Sequence, residues 1–336
     1  MMLSRQPLNL CIDFLGMSRK IGSDPMLIQG AGGNTSIKHG RTMSVKASGQ
    51  WLCEAGHKNI FIEVDVETGL PVHSEEQILR PSIETGLHLA LPHKIVVHLH
   101  SVNALAWLVR QDAKPQLDRL LSGMEWGWIP YVKPGKELAA DIRTQFECRP
   151  ANIYLLQNHG VVVAADDVDG INLLIGEIER RLQNGLPVMQ STSDSFIGDL
   201  SAGLDDWRMP KYHEVHHLAL FERSRKLVAK QAMFPDQVVF LGEAPLVCKS
   251  LSNIKKDLAK YVSLHGNKPG WLIIEGRGVI VPKNFSAGAE ELLQCLSRVV
   301  MRIPPEVKIS YLRAESVSAL LNWDAEKYRQ NLESNT

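Results

Sequence analysis

The spacing of apolar residues in the first half of the chain predicts alternating helices and strands. Apolar positions at helical spacing predict one helix over residues 8–21 and another, capped by Ser82, that runs to residue 91. Further helices are predicted over residues 104–110, 137–146 and 166–182. Runs rich in β-branched residues predict strands over 42–46, 60–66, 95–100, 153–156 and 161–165.

The second half continues this alternation after a polar segment. Residues 187–206 are rich in Ser, Asp and Gly and predict a surface loop, followed by a helix over 209–228. The remaining elements are a strand at 238–241, a helix at 254–264, strands within 271–281 and a helix at 287–302. Strands mixed with helices throughout predict an α/β sandwich. We expect one domain over residues 1–230 and an additional C-terminal α/β part over 231–336.

The composition is that of a globular protein. Hydrophobic residues make up 44% and charged residues 22% of the 336 residues. Lys plus Arg and Asp plus Glu both number 37, so no general attraction to nucleic acid or to a membrane is expected. Five widely spaced cysteines without a Cys-x-x-Cys pair are typical of reduced thiols. With neither a signal-peptide pattern nor an apolar run near the ~18 residues that span a bilayer, we expect a cytoplasmic protein.

Three histidines form the strongest chemical signal in the sequence. His98 and His100 are separated by one residue on a predicted strand, so both imidazoles point to the same face. His159 lies in the turn between two later strands, where a side chain is readily directed into a cleft. Three histidines that leave one position open are typical of a catalytic zinc site. The alternative is that these histidines are structural.

Glu84 stands near the start of the helix that precedes the His98 strand. A shielded carboxylate beside a divalent cation can act as a displaceable ligand and as a proton-transfer base. The alternative is an ordinary solvated glutamate on a helix face. His88, four residues further along the same helix, is interpreted as a hydrogen-bond partner of Glu84.

A second group of residues has the chemistry of an anion site. The segment from Gly33 through Asn34 to Ser36 offers backbone amides, a side-chain amide and hydroxyl groups. Ser48 and Gly49 form a second small turn, Lys46 adds a positive charge, and Ser82 lies at a predicted helix N-terminus, which favours anions. Glycine–asparagine–serine clusters also mark ordinary turns, and the sequence contains neither a P-loop nor a clean Gly-x-Gly-x-x-Gly motif.

Two segments of the second half resemble segments of the first. Residues 155–163 resemble residues 273–281, and at the same offset Gly170 aligns with Gly288. A weaker resemblance aligns residues 91–97 with 234–240. Since Arg277 then stands in place of His159, the C-terminal part would be a degenerate half-copy without metal ligands. The alternative is coincidence, because short apolar windows match easily.

Other candidates favour structural interpretations. His213, His216 and His217 are spaced for one helix face and could bind a metal, but a solvated or packed face is the preferred interpretation. Trp126 and Trp128 could stack on a sugar, although core or interface packing is more common.

Five motifs occur in an order that resembles the class II aldolase/adducin head-domain family. They are Gly-Asn-Thr-Ser at 33–36, Lys-Ala-Ser-Gly at 46–49, Pro-Ser-Ile-Glu at 81–84, His-Leu-His at 98–100 and Asn-His-Gly at 158–160. The resemblance covers about residues 8 to 185 and includes fuculose-phosphate aldolase and the aldolase portion of long rhamnulose-phosphate aldolase-type proteins. It implies a three-layer α/β/α sandwich and a catalytic domain within residues 1–230.

The resemblance also implies roles for individual residues. His98, His100 and His159 would bind Zn²⁺, although another divalent transition metal is compatible, and Glu84 would be the catalytic acid and base. The substrate phosphate would be held by Gly33, Asn34, Ser48, Gly49 and Ser82. Tyr131 lies in the segment in which aldolase members carry a tyrosine proton donor. Family members form homo-oligomers, so we expect one here.

The implied reaction is aldol cleavage or condensation of a ketose phosphate through a metal-stabilised enediolate. A 3-oxo-tetronate 4-phosphate-type decarboxylase and a sugar-phosphate 4-epimerase use the same scaffold and are not separated by these motifs. A non-catalytic adducin-like module is expected to lack the metal histidines. The sequence departs from the family pattern at Ile83, where simple aldolases often have a second serine before the glutamate that corresponds to Glu84. This departure leaves the identity of the phosphorylated sugar or sugar acid open.

Overall fold

The computed structural model describes residues 10–72, 79–187 and 198–324, and it confirms an α/β fold with an additional C-terminal part. The helices are α1 Ile12–Gly22, α2 Thr85–Leu89, α3 Val102–Leu108, α4 Ala113–Leu120, α5 Lys136–Cys148, α6 Val168–Asn184, α7 His217–Leu220, α8 Glu222–Lys230, α9 Pro235–Leu241, α10 Ile254–His265, α11 Ala287–Met301 and α12 Ala314–Leu321. The strands are β1 Asn34–His39, β2 Thr42–Lys46, β3 Phe61–Asp65, β4 Ile95–Leu99, β5 Trp126–Ile129, β6 Ile153–Leu156, β7 Gly160–Ala165, β8 Trp207–Arg208, β9 Leu246–Cys248, β10 Leu272–Ile274 and β11 Gly278–Pro282. Within the described ranges, no helix is long and apolar enough to cross a membrane.

The first seven strands form one sheet in the order β3-β2-β1-β4-β7-β6-β5. Neighbouring strands are antiparallel except for β5 and β6, which are parallel. β4 occupies the centre of the sheet, and each of its residues is buried because helices cover both faces. A run of β-branched residues suits this two-sided burial.

The two covered faces make this part the predicted three-layer α/β/α sandwich. Val97 of β4 packs in a cluster with residues of α1, α3 and α6. Val96, which points to the opposite face, packs in a cluster with residues of α2 and α5. Since side chains alternate along a strand, His98 shares the face of Val96 and therefore lies on the side of α2.

The described strands after residue 200 form a second sheet in the order β8-β11-β10-β9, in which β8 precedes the C-terminal part and the other three strands belong to it. This order matches β4-β7-β6-β5 of the first sheet, and each corresponding pair of neighbours has the same relative direction. The β10–β11 hairpin also keeps the register of the β6–β7 hairpin: Ile274 pairs with Gly278 as Leu156 pairs with Gly160. The resemblance between residues 155–163 and 273–281 therefore extends to the strand pairing, and a half-copy origin of the C-terminal part stays a prediction.

Several predictions for the second half are wrong in detail. Residues 238–241 are helical in α9 rather than a strand, so their resemblance to residues 91–97 does not extend to structure. The predicted helix over 209–228 is divided into a 3-10 turn at His213–His216, α7 and α8. Residues 188–197 of the predicted loop at 187–206 lie outside the described residues.

The two parts of the chain share a hydrophobic core around α3. Val102, Leu105 and Val109 pack in one cluster with residues of β11 and α11. α3 begins directly after His100, and the Ser101 side chain caps it by accepting a hydrogen bond from the Ala104 amide. The C-terminal part therefore packs against the helix that follows the histidine pair.

Candidate metal centre

His98 and His100 turn one nitrogen each toward a common point at the end of β4. The Nδ1 atom of His98 lies 3.1 Å from the carbonyl oxygen of Val161, which can only accept a hydrogen bond. The Nδ1 atom of His100 lies 2.9 Å from Oδ2 of Asp236. The His98 ring therefore carries its proton on Nδ1 and presents an unprotonated Nε2 atom, which lies 3.0 Å from Nε2 of His100. A cation bound at this point would take the Nε2 lone pair of His98.

His159 completes the group from the turn between β6 and β7. Its ring centroid lies 4.8 Å from that of His98 and 5.5 Å from that of His100. The preceding residue, Asn158, has a positive φ of 56°, and its side-chain amide donates to the carbonyl oxygens of Met233 and Ser310 at 2.7 and 2.6 Å. These bonds hold the turn in a conformation that Asn tolerates better than most residues.

Glu84 is the residue before α2 and brings a carboxylate to the three imidazoles. Its Oε1 atom lies 3.4 Å from Nε2 of His98 and 3.2 Å from Nε2 of His159. Within the described residues Oε1 makes no well-aligned hydrogen bond, although it is buried. One ligand atom from each of Glu84, His98, His100 and His159 lies within 4.8 Å of the others. This is the metal-compatible group found in the described part of the chain, and its four residues are all buried.

The protonation states in this group suit a cation. Burial raises the pKa of Glu84, but the imidazoles of His98, His159 and His100 outweigh it, so the pKa lies well below its ordinary value. Burial lowers the pKa of His98 to about 3, against the opposing effect of Glu84. An ionised carboxylate and a neutral imidazole are the forms in which these side chains bind metals.

Asn34 fixes the other oxygen of Glu84. Its Nδ2 atom donates to Oε2 of Glu84 at 2.9 Å, and its Oδ1 atom accepts from Nε2 of His88. The other nitrogen of His88 accepts from the hydroxyl of Ser36 at 2.7 Å. Burial lowers the pKa of His88 to about 3, so the ring is neutral. The interpretation of His88 as a direct partner of Glu84 is wrong, because Asn34 lies between them.

The structure gives the predicted phosphate ligands different surroundings. Asn34 and Ser82 lie beside Glu84, since the Ser82 hydroxyl accepts from the Glu84 amide at 3.2 Å. Ser48 lies next to the segment that carries Ser82, because its neighbour Ala47 forms an isolated β-bridge with Pro81. Gly33 precedes β1 with a φ of 52°, and Gly49 has a φ of 73°. α2 is shorter than predicted and begins only at Thr85, so its dipole adds little at Ser82.

Ser36 and Lys46 are occupied by internal contacts. Ser36 is buried against His88. The Lys46 ammonium group is buried and donates to the carbonyl oxygens of Ala31 and Gln50, both at 2.7 Å. Lys46 thereby joins the glycine-rich segment before β1 to the turn after β2.

Tyr131 lies after β5 and packs against the C-terminal part. Its ring belongs to a cluster with Ala232, Val317 and Leu320. Burial raises the pKa of Tyr131 to about 12. Its role as proton donor stays a prediction.

The other histidines and tryptophans have structural surroundings. His216 accepts a hydrogen bond from the Val279 amide at 3.0 Å and is buried, and His217 is buried as well. Trp126 and Trp128 pack against the core of the first sheet. The preferred interpretation of these residues as packed side chains agrees with these contacts.

His216 predicts an acid sensitivity of the fold. Burial lowers the pKa of His216 to about 4, with smaller contributions from His213 and His217. The His216 imidazole is protonated near pH 6.5 in the unfolded chain and only near pH 4 in the folded chain. The contribution of neutral His216 to the unfolding free energy is therefore complete above pH 6.5 and is lost as pH falls. Between pH 7 and pH 5 we expect the wild type to lose about 2 kcal/mol more unfolding free energy than His216→Asn in urea titrations. Equal losses in the two proteins would contradict this assignment.

Comparison with known proteins agrees with this geometry. Residues 14–184 match the family described as Class II Aldolase and Adducin N-terminal domain. The chain belongs to this family. The matched range contains β1 to β7 and the whole Glu84–His98–His100–His159 group, whereas Asp236 lies outside it.

Among curated proteins, the chain is similar to the uncharacterized oxidoreductase YuxG of Bacillus subtilis, with 32% identity over 173 residues. The match covers 43% of this chain and 25% of the relative, so the chain spans only about a quarter of that protein. A solved N-terminal class II aldolase domain from Thermoplasma acidophilum is 24% identical, covering 55% of this chain and 99% of that one, with a TM-score of 0.45. A solved L-fuculose 1-phosphate aldolase is 21% identical, covering 52% of this chain and 85% of that one, with a TM-score of 0.40.

Two contacts of the centre were not predicted from the sequence. Asp236 contacts His100 from α9, and Asn34, the first residue of β1, donates a hydrogen bond to Glu84. Pro235 followed by an acidic residue is a helix-start signal, which could have identified α9. No local signal in the sequence indicates that α9 meets the end of β4.

Proposed function

We propose that this protein is a zinc-dependent carbon–carbon lyase that cleaves or forms a ketose phosphate by aldol chemistry. The observation that carries the proposal is the convergence of three imidazole Nε2 atoms and one carboxylate oxygen at a buried point. Two of these nitrogens, Nε2 of His98 and Nε2 of His100, lie 3.0 Å apart, and Glu84 Oε1 lacks a well-aligned hydrogen bond in the described structure. Membership of the class II aldolase and adducin family supports the same conclusion.

The donor set and its spacing favour zinc over magnesium or calcium. Imidazole nitrogen suits zinc and similar transition metals, whereas magnesium and calcium prefer oxygen ligands. Neighbouring ligand atoms around a tetrahedral zinc ion with bonds of about 2.0–2.1 Å lie about 3.3 Å apart. The Nε2–Nε2 and Nε2–Oε1 separations of 3.0, 3.2 and 3.4 Å are close to this value. A bound divalent cation would stabilise negative charge that develops on the substrate carbonyl oxygen.

Glu84 is the group that we assign to proton transfer. Its lowered pKa keeps it ionised at neutral pH, so it can accept a proton from the substrate and later return it. Asn34 holds Oε2 by a hydrogen bond of 2.9 Å and leaves Oε1 directed at the centre. This orientation limits the carboxylate to one position, which lowers the entropic cost of the transfer.

We assign substrate phosphate binding to the segment beside Glu84. Gly33, Asn34, Ser48, Gly49 and Ser82 provide amides and hydroxyl groups there. We propose that Ser36 and Lys46 support this segment through their internal contacts rather than by direct contact with phosphate. Tyr131 is protonated at neutral pH, as a proton donor to the aldehyde oxygen must be, and its raised pKa does not change this state.

The same group of residues also serves the alternative reactions. A 3-oxo acid phosphate decarboxylase or a sugar-phosphate 4-epimerase would need a similar metal centre, and the intact histidines argue against a non-catalytic module. We propose a small phosphorylated sugar or sugar acid as the substrate, and a homo-oligomer as the assembly.

Incubation of the zinc-loaded protein with a panel of ketose 1-phosphates tests the proposal. We expect release of a ketone phosphate and an aldehyde, loss of turnover after chelation, and recovery when zinc is added back. Release of carbon dioxide from a 3-oxo acid phosphate, or epimerisation at C4 without cleavage, would replace the aldolase assignment with one of the alternatives. A metal-loaded protein that converts none of these substrates would contradict the enzymatic proposal.

A further inference from the structure

The metal centre receives one contact from outside the part of the chain that matches the family. Asp236, in the first turn of α9, lies 2.9 Å from Nδ1 of His100 through its Oδ2 atom, an ion-pair distance at which the two groups are not yet aligned as a hydrogen bond. Both side chains are nearly inaccessible to solvent, at 7% and 6% exposure. A carboxylate that accepts the Nδ1 proton of an imidazole fixes the ring so that its Nε2 lone pair is available to a metal.

The position of Asp236 is set by tight local packing. Pro235 occupies the first turn of α9, where its fixed φ favours the helix. Gln237 is fully buried and accepts a hydrogen bond from the Met233 amide at 2.9 Å. Val238 packs in the cluster with Leu312 and Leu320. α9 can therefore hold the Asp236 carboxylate in place with little freedom.

The N-terminal part leaves space for the Asp236–His100 pair. A Cβ atom at Gly32 would lie 2.9 Å from Nδ1 of His100 and 3.1 Å from Oδ2 of Asp236. Both distances are shorter than ordinary contacts of a side-chain carbon. A glycine at this position thus allows the carboxylate and the imidazole to meet against the backbone.

The C-terminal part also holds the turn of a second histidine. The carbonyl oxygens of Met233 and Ser310 both accept from the Asn158 amide, and Asn158 directly precedes His159. Met233 lies shortly before α9, so the same segment supports His100 through Asp236 and His159 through Asn158. Two of the three imidazoles therefore depend on residues beyond the family match.

We propose that the C-terminal part completes the metal centre, with Asp236 as the positioning residue for His100. The order β8-β11-β10-β9, which matches β4-β7-β6-β5 of the first sheet, suggests how this part arose, as a half-copy without the metal histidines that now supports the centre of the first half. This inference rests on the metal centre of the proposed function but not on the identity of the substrate.

Metal affinity of the full-length chain tests the proposal, measured by competition with a chromophoric zinc chelator. We expect Asp236→Ala to weaken zinc binding by at least about tenfold, within the 10–100-fold range typical of such supporting carboxylates. Asp236→Asn is nearly isosteric and its amide oxygen can still accept from Nδ1, so we expect a smaller loss. This second variant keeps the test valid if Asp236→Ala does not fold.

Glu290→Gln is the matched control. Glu290 is a buried carboxylate of the C-terminal part that bonds Arg208 and the Lys211 amide, away from the centre. We expect the zinc affinity of the Glu290→Gln protein to equal that of the wild type. Zinc affinity unchanged in both Asp236 variants, or lowered equally in Glu290→Gln, would overturn the inference and leave the proposed function standing. A wild-type chain that binds no zinc would instead remove the proposed function itself.

Discussion

Glu84→Gln should lower turnover by about 10³-fold while the protein stays folded, since the change removes only the ionisable group. Glu84 is the carboxylate that reaches the three imidazoles, and its lowered pKa shows that it is ionised at neutral pH. The glutamine keeps the size of the side chain and can still accept from Asn34. It can no longer take up and return a proton.

The measurement is kcat on whichever phosphorylated substrate the screen identifies, together with circular dichroism and the unfolding midpoint. Glu290→Gln makes the same chemical change in a buried carboxylate outside the centre and should retain wild-type turnover. A Glu84→Gln protein with turnover within about threefold of wild type would exclude Glu84 as the proton-transfer group.

Gly160→Ala should destabilise the fold by more than about 3 kcal/mol, because the added methyl group collides with backbone rather than with a flexible side chain. Gly160 begins β7 next to His159, and a Cβ atom there would lie 2.2 Å from the carbonyl oxygen of Leu99 and 3.1 Å from Cε1 of His98. Relief of this overlap requires β7 to move away from β4. That movement would separate His159 from His98, so metal binding should be lost as well.

Gly176→Ala is the control for this change. Gly176 lies on the exposed side of α6, and a Cβ atom there meets nothing within 4 Å. Alanine favours a helix over glycine by up to about 1 kcal/mol, so this variant should be as stable as wild type or more stable. Urea unfolding compares the three proteins. If Gly160→Ala unfolds within about 1 kcal/mol of wild type, the close approach of β4 and β7 described here is wrong.

The parts of the centre that follow local rules could be predicted from sequence. His98 and His100 share a face because they are two residues apart on a strand, and the register of β4 with β7 then brings them to the turn that carries His159. Glu84 could be placed at the start of the preceding helix for the same local reason. The convergence of the three proposed histidine ligands is thus encoded by short patterns.

The contacts that fix these ligands depend on tertiary packing. The sequence predicts that Asn34 belongs to a glycine-rich turn, but strand β1 begins at this residue, and its pairing with His98 places it beside Glu84. Glycine and asparagine favour turns locally, and the sheet overrides that preference. Val238 and Val239 favour a strand, yet burial against α11 and α12 and the start at Pro235 make this segment helix α9. Propensity alone could not place Asp236 at His100.

Elemental analysis of bound metal tests the central claim most directly. Wild-type protein, purified without chelator and re-exposed to zinc, should contain about one divalent ion per chain, the occupancy expected for a single three-histidine site. His98→Ala should contain close to none, and His216→Ala, which removes a buried histidine outside the centre, should retain the wild-type content. A wild-type protein that binds no metal after zinc is restored would mean that the three histidines are structural, and the account of this protein as a metal-dependent lyase would be wrong.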